Sequence, residues 1–339
     1  MAPHSPDHTY ESTAPIPVVL AIDVEPDGKP VRARESIRLS GLKATVSWLD
    51  ELRPRLEAAT GRPANFAWFV RMDPQIEQLA GRPTAVAELA SSQLDRLRLK
   101  GDGIGLHTHA GRWDGSRRRW VVDHGDPQWV EHCARTSFGA YASTYGHSCR
   151  QHRFGDRWSS PDALDLLAQL GARVDLSAEP GRRAVGRVDL SADATGSIPS
   201  YLHLHSVPRA HRDPRLWLLP LTSADPGPAL ELHRRIARRL RFIGQPVHRP
   251  MLLDRPWRSA HLYWSVLERA TSSQRTPYIA LAIRSDLSLQ RAIGRVQGIL
   301  DSLLSRPFAR RLQFVDAVAA IDRLSSSVAD APAESGPEI

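Results

Sequence analysis

PVVLAIDV, residues 17–24, is a short apolar run that ends in charge and is followed by Glu25. This pattern is typical of a strand buried inside a parallel sheet. Comparable runs recur at 65–70 (NFAWFV), 103–107 (GIGLH), 172–177 (ARVDLS), 278–285 (YIALAIRS) and 312–315 (LQFV).

Segments with helical character alternate with these runs. Ser40 is a predicted cap of a helix that continues to about Thr60 and stops at Gly61, and Pro54 is expected to kink it or end it early. Further helices are predicted over 85–99, 127–144, 161–170 and 288–304, with a last one ending near 324. This alternation predicts an α/β fold with parallel strands and outer helices, either a barrel or a doubly wound sheet.

The domain boundaries follow changes in composition. Residues 1–15 are polar and residues 326–339 are acidic and rich in Ala, Pro and Ser, so both are predicted to be disordered tails. Residues 16–325 are predicted to form one domain. Within it, residues 183–257 are rich in Pro and Arg and are interpreted as a loop-rich insertion that covers the rim of the barrel.

Length and composition exclude several classes of protein. With 339 residues, 41% of them hydrophobic, the chain can bury a large core and is not collagen-like, low-complexity or wholly disordered. No apolar run of transmembrane length occurs, and residues 1–17 lack the basic and apolar regions of a secretory signal. Two cysteines, Cys133 and Cys149, cannot form a disulfide framework, so we expect a cytoplasmic protein.

The net charge is +8, and all but three of the 45 basic residues are arginine. GC-rich coding explains such a bias without any function, whereas a functional interpretation is an anionic partner, because the guanidinium matches carboxylate and phosphate. The basic segment HRRIARRLR (233–241) is interpreted as a solvated helical face. It lacks the interleaved aromatic residues of a single-strand binder and any recognition motif, so no nucleic-acid partner is expected.

Polar residues follow the apolar runs, at the strand ends where both architectures bind ligands. They are Asp23 and Glu25, residues 71–73, His107 and His109, residues 175–177, and residues 284–286. We therefore expect carboxylates and imidazoles to converge at one rim.

His107 and His109 lie on the same side of an extended segment, because side chains alternate along a strand. A His-x-His pair alone is more often structural, but two histidines with a strand-end carboxylate form a common open site for a divalent metal. A second pair, His203 and His205, has no carboxylate close in sequence and is interpreted as structural or substrate-contacting.

The segment RFGDRW (153–158) has two interpretations. It is either a surface turn around Gly155, or a segment in which Arg153 fixes a catalytic carboxylate while Trp158 forms a platform for a sugar ring.

The order of these motifs resembles the polysaccharide deacetylase (NodB-like) family. The segments that carry the resemblance are LAIDVEPDG (20–28), FAWFV (66–70), GDGIGLHTH (101–109), HRFGDRWSSPDALDLLAQLGARVDLSAEPG (152–181) and YIALAIRSD (278–286). It covers about residues 16–180 and, more weakly, 275–325. The resemblance implies an irregular seven-stranded (β/α) barrel and metal-dependent removal of acyl groups, usually N-acetyl, from a carbohydrate.

The resemblance also implies roles for individual residues. Asp23 matches the general base, and Arg153 matches the arginine that orients it. The metal ligands would be Glu25, His107 and His109, and the metal would be a divalent ion, zinc. Val24 stands where the family usually has a metal-binding aspartate, and Gly111 stands where it usually has its second histidine, so Glu25 and His109 would replace them.

Arg284 stands where the family usually presents a histidine as general acid. Arginine cannot release a proton near neutral pH, so Arg284 is expected either to bind an anionic group of the substrate or to form a structural ion pair with Asp286 or Asp175. Asp175 and His205 are further predicted substrate contacts, and His205 is an alternative acid. Three other readings stay open: a carbohydrate-binding relative without activity, a metal-dependent hydrolase with another substrate, and a nucleic-acid binder.

Overall fold

The structure is a computed structural model that describes residues 15–28, 37–179, 203–206, 215–224, 249–250, 278–286 and 293–329. The predicted tails and the predicted insertion at 183–257 lie mostly outside the described residues. No helix among them is long and apolar enough to cross a membrane.

The strands alternate with helices as predicted. In chain order the strands are β1 (Ile16–Val24), β2 (Ala67–Arg71), β3 (Gly103–Thr108), β4 (Gly111–Asp114), β5 (Arg119–Val122), β6 (Gln151–Phe154), β7 (Val174–Asp175), β8 (His203–Ser206), β9 (Arg215–Leu218), β10 (Ser223–Ala224), β11 (Arg249–Pro250), β12 (Ile279–Arg284) and β13 (Leu312–Phe314). The helices are α1 (Ser40–Thr60), α2 (Pro74–Ala80), α3 (Ala85–Leu89), α4 (Ser91–Leu99), α5 (Pro127–Tyr145), α6 (Pro161–Gln169), α7 (Ile293–Leu304) and α8 (Ala317–Ala329).

The main sheet of the described residues has the strand order β12-β1-β2-β3-β6-β7-β9-β8, and β13 also pairs with β1. All of these pairs are parallel except β8 with β9. The sheet curls into a half-barrel with helices on its outer side. The predicted α/β architecture is therefore confirmed.

The two faces of the sheet carry side chains of different size. Along β12, Ile279, Leu281 and Ile283 pack with the helices, whereas Ala280 and Ala282 lie in the inner cluster, as the alternation of YIALAIRS predicts. The inner cluster also contains Val19, Ala21, Ala67 and Phe69. Because these side chains fill the interior, polar chemistry is left to the carboxyl ends of the strands.

Helix α1 runs from Ser40 to Thr60 and is followed by Gly61, whose φ of 69° is left-handed. The predicted cap at Ser40 is wrong, because Ser40 is the first helical residue and Leu39, which makes no side-chain cap bond, precedes it. The predicted early end at Pro54 is wrong, because the helix continues through it; the predicted kink stays a prediction. Pro54 lies on the exposed face, where water can hydrate the carbonyl that loses its partner, while Leu52 and Leu56 on either side are buried. The burial of this apolar stripe outweighs the missing hydrogen bond.

Strand β6 and the hairpin of β4 and β5 were not predicted from the sequence patterns. The segment containing Arg153 is not a surface turn but strand β6, which pairs with β3 and β7. Its four residues, QHRF, include three polar side chains, so no apolar run marks it. The hairpin of β4 and β5 is similarly polar and was not predicted. The predicted helix over 85–99 is divided into α3 and α4 at Ala90.

A buried carboxylate joins three elements beneath the strand that carries the histidine pair. Asp102, immediately before β3, accepts two hydrogen bonds from the Arg53 guanidinium on α1, at 2.8 and 3.0 Å. It also accepts from the Phe66 amide at 3.0 Å and from the Trp68 indole at 2.9 Å. Both charged side chains are nearly inaccessible to solvent. This network fixes the start of β3 relative to α1 and β2.

Candidate active site

The carboxyl ends of β1, β2, β3 and β6 meet at one rim. The strand register places Asp23 beside Phe69, Arg71 beside His107, and His107 beside Arg153. The polar residues that follow each apolar run are therefore adjacent in space, although up to 130 positions separate them along the chain.

Glu25, His107 and His109 form a group whose ligand atoms lie within 4.8 Å of one another. The Nε2 atoms of the two histidines are 2.9 Å apart, and each lies 3.3 Å from Glu25 Oε1. Ligand atoms that surround an ion at about 2.1 Å with tetrahedral angles are about 3.4 Å apart. The donor set and its spacing therefore fit a divalent metal.

The other ring nitrogen of each histidine has its own partner. His107 Nδ1 lies 3.0 Å from the Arg153 carbonyl oxygen, and His109 Nδ1 lies 3.1 Å from Asp156 Oδ2. Each of these acceptors favours a proton on Nδ1, which turns the Nε2 lone pair towards Glu25. Outer partners of this kind usually accompany metal-binding histidines, and Asp156 was not identified from the sequence.

Backbone geometry brings Asp156 under the imidazole. At Gly155 a Cβ atom would collide with the ring of His109, so only glycine allows the backbone to pass this close. Asp156 follows with a φ of 57°, a left-handed conformation uncommon outside glycine. This left-handed residue contacts His109, a candidate site residue. Strained backbone conformations often occur at functional sites.

The charges at the rim perturb one another strongly. Burial raises the pKa of Glu25, but His109, His107 and Arg71 outweigh it and hold that pKa well below its usual range. Burial and Arg71 lower the pKa of His109, but Glu25 and Asp156 together raise it to about 9. Strong coupling of a carboxylate with two imidazoles is common at functional sites.

Arg71 holds Glu25 from the side opposite to the histidines. Its NH1 lies 3.3 Å from Glu25 Oε2, its Nε donates to Asp73 at 2.6 Å, and its NH2 donates to Gln75 at 2.7 Å. Asp73 also accepts a hydrogen bond from the His109 amide at 3.2 Å. Arg71 and Asp73 therefore fix both the carboxylate and one histidine. Their position after β2 predicted that they lie at the rim. Nothing in the sequence indicated that they fix Glu25 and His109.

Arg153 approaches Asp23 from β6. Its Nε donates to Asp23 Oδ1 at 3.1 Å, NH2 donates to Glu179 at 2.7 Å, and NH1 donates to the Leu176 carbonyl at 2.6 Å. Burial lowers the pKa of Arg153, but Asp23 and Glu179 raise it above its usual value. Asp23 Oδ1 lies 3.8 Å from His107 Nδ1, outside the group of ligand atoms. The arrangement holds Asp23 beside the group of Glu25, His107 and His109, of which Asp23 is not a member.

Two predicted substrate contacts are not supported. The Trp158 ring is 3% exposed and stacks on His124 with centroids 4.4 Å apart, so neither face is open to a sugar ring. Asp175 is buried and bonds to His152 Nδ1 at 2.8 Å and to the Ser177 hydroxyl at 2.7 Å. It organises the strand ends behind the rim instead of facing a ligand.

Arg284 reaches the rim from β12, where the register places it beside Asp23. Its NH2 lies 2.9 Å from Asp286 and 3.7 Å from Glu25 Oε1, and a third of the side chain is exposed. The substrate-binding role of Arg284 stays a prediction. His205 lies in β8 opposite Leu216, and its side chain is outside the described part of the chain.

Comparisons with solved structures agree with the fold described above. The chain is similar to a protein of Parabacteroides distasonis assigned as a glycoside hydrolase/deacetylase, with 12% identity, a TM-score of 0.54, and coverage of 95% of this chain and 73% of that one. The fold is of the polysaccharide deacetylase type. Proteins assigned as polysaccharide deacetylases are also similar: one from Pseudomonas aeruginosa PAO1 (13% identity, 93% and 92% coverage, TM-score 0.49) and one from Mycobacterium smegmatis (12%, 100% and 99%, 0.48).

No protein-family model matches the sequence, and no curated protein matches it. The deacetylase-type fold confirms the predicted barrel. It does not by itself assign an activity, because the same fold can carry different sites.

Replacing Asp156 by Asn tests the outer contact to His109. The amide weakens the interaction with Nδ1 and no longer selects its protonated tautomer, so affinity for zinc should fall by about 10–100-fold. Competition with a chromophoric chelator measures this change. The matched control is Asp95→Asn, which removes an exposed carboxylate on α4 and should leave the affinity unchanged. Equal affinities in wild type and Asp156→Asn would contradict the role.

Proposed function

We propose that the protein is a metal-dependent hydrolase that removes an acyl group, N-acetyl, from a sugar or glycan. One observation carries the proposal: the Glu25, His107 and His109 donor atoms converge within bonding range of a common point, and the Asp23–Arg153 pair lies beside them. The deacetylase-type fold supports a carbohydrate as the substrate.

Glu25, His107 and His109 are the residues that would hold the metal. Two imidazoles and one carboxylate suit zinc and leave a position for water and for a substrate oxygen. When bound, such an ion polarises the acyl oxygen and lowers the pKa of the attacking water. Arg71 keeps Glu25 in place, and Asp156 keeps His109 in the required tautomer.

Asp23 is the proposed general base. Its carboxylate, oriented by Arg153, accepts a proton as water attacks the acyl carbon. The guanidinium of Arg153 is itself fixed by Glu179 and the Leu176 carbonyl, so Asp23 is held in one direction. The departing amine requires a proton, and the proton taken up by Asp23 is available for it. Arg284 cannot supply one.

Arg284 instead fits recognition of an anionic group near the acyl carbon. The guanidinium is partly exposed, lies at the end of β12, and can present its fork to a carboxylate or phosphate. Its contact with Asp286 at 2.9 Å would orient the side chain. The substrate in this proposal is therefore an acylated sugar with a negative charge.

Metal analysis combined with an acetate-release assay tests the function. Purified protein loaded with zinc should contain one ion per chain and release acetate from N-acetylated oligosaccharides, and chelation should abolish the release until zinc is restored. Failure to bind zinc would overturn the proposal. Zinc binding with no release from any acetylated sugar would support the second candidate, a carbohydrate-binding relative without activity, which the replacement of the general acid by Arg284 favours.

A further inference from the structure

The hairpin of β4 and β5 is anchored on the metal-binding rim. It begins two residues after His109, and at Gly111 a Cβ atom would lie 2.8 Å from Gln75 Oε1. Gln75 in turn accepts a hydrogen bond from Arg71, the arginine that contacts Glu25. The base of the hairpin is thus part of the scaffold that orients the candidate metal ligands.

One face of the hairpin carries an aromatic pair. The register places Trp113 opposite Trp120 and Gly111 opposite Val122, so these four residues share a face. The two indole rings meet edge to face with centroids 5.4 Å apart, both are only half-buried, and Val122 is 42% exposed. Trp120 also packs against the hydrophobic core, and its indole nitrogen is buried without a hydrogen-bond partner in the described structure. Along the chain, this face starts at Gly111, two residues after His109.

The tip of the hairpin carries three positive charges, of which one lies near a carboxylate. Arg117, Arg118 and Arg119 are all exposed. Arg117 lies 3.5 Å from Asp114, whereas Arg118 and Arg119 make no ion pair within the described ranges. Arg118 also has a φ of 50°, which an arginine rarely adopts. The three consecutive arginines at this turn therefore make few stabilising contacts with the described part of the protein.

We propose that this hairpin binds an acidic glycan whose acylated end lies in the metal site. Aromatic rings pack against the apolar faces of sugars, and guanidinium groups pair with carboxylates in a two-point contact. The proposal rests on the proposed function and names its substrate class: an extended glycan that alternates or combines N-acetylated and carboxylated sugars. Trp113, held edge to face by Trp120, supplies the sugar platform that was expected at the buried Trp158.

Aromatic and basic side chains such as those of the hairpin can also bind a nucleic acid. Continuity with the metal site favours the glycan, because the Trp113 face starts at Gly111, beside the second histidine. The positive charge of Arg284 on the far side of the rim is consistent with an acidic chain.

The test measures binding by titration calorimetry with zinc-loaded, full-length protein that carries Asp23→Asn, so that no probe is consumed. The probes are a hyaluronate hexasaccharide, which carries N-acetyl and carboxylate groups, and the neutral N-acetylchitohexaose. Hyaluronate should bind at least about tenfold more tightly, and added salt should remove most of the difference.

Two sets of variants separate the contributions. Arg118→Ala with Arg119→Ala should weaken hyaluronate binding about tenfold and leave the neutral probe unchanged, whereas Trp113→Ala should weaken both. The control is Arg135→Ala, an exposed arginine of α5 that is paired with Glu131 and should have no effect. Thermal unfolding curves establish that each variant is folded.

Equal affinity for the two probes, or hyaluronate binding that the arginine variants do not change, would overturn the proposal. Tighter binding of a single-stranded oligonucleotide than of hyaluronate would overturn it in favour of a nucleic acid. Zinc content and acetate release of otherwise wild-type protein are measured separately. If the protein bound hyaluronate but neither bound zinc nor released acetate, the proposed function alone would be refuted. If it bound zinc and released acetate but did not bind hyaluronate through the hairpin, the role of the hairpin alone would be refuted.

Discussion

Replacing Asp23 by Asn should lower kcat for acyl removal by about 10²–10⁴, the usual contribution of a positioned base. The amide keeps the size of the side chain and can still accept a hydrogen bond from Arg153, but it cannot take up a proton. Zinc content should not change, because Asp23 lies 3.8 Å from the nearest histidine nitrogen and outside the ligand group. Acetate release and metal analysis on the same preparation measure both quantities.

The control for this substitution is Asp162→Asn, which alters an exposed carboxylate in the first turn of α6. It should retain the activity of wild type. If Asp23→Asn retained at least half of the wild-type kcat, Asp23 would not be the base. If it lost zinc together with activity, Asp23 would be a metal ligand and the assignment of Glu25 would need revision.

Replacing Asp102 by Ala should destabilise the protein by about 3–5 kcal/mol. The substitution leaves the buried Arg53 guanidinium without its carboxylate and removes the acceptor of the Phe66 amide and the Trp68 indole. Equilibrium urea unfolding measures the loss. The control Glu88→Gln alters an exposed carboxylate that contacts Arg82 and should produce no measurable change. Similar unfolding curves for the two variants would show that the buried network contributes little.

The sequence was sufficient for the features that depend on a repeated pattern. The apolar runs at β1, β2, β3 and β12 each bury both faces, so their composition marked them, and the rule for strand ends then located the rim. Strand alternation predicted that the imidazoles of His107 and His109 face one side, and in the structure they lie together with Glu25. In these cases the local sequence pattern and the position of the strand in the folded sheet favour the same residues.

The rest of the site depends on contacts between distant segments. Asp156 acts on His109 only because β6 lies next to β3, and no local pattern of RFGDRW indicates that pairing. Trp158 was predicted to form a platform for a sugar ring, whereas His124 and Phe154 cover it. Burial by a neighbouring segment is a tertiary property, and one short motif cannot report it.

The close passage of the backbone at Gly155 over His109 supplies a criterion for sorting sequences. Any chain that shares the segment from β6 to α6 but carries a side chain at this position must move its second histidine away from the carboxylate, since the ring and a Cβ atom cannot occupy the same space. Retention of glycine there, together with the histidine pair, separates chains that can assemble this centre from chains that keep only the barrel. A single position outside the set of ligands thus distinguishes an intact site from a vestigial one.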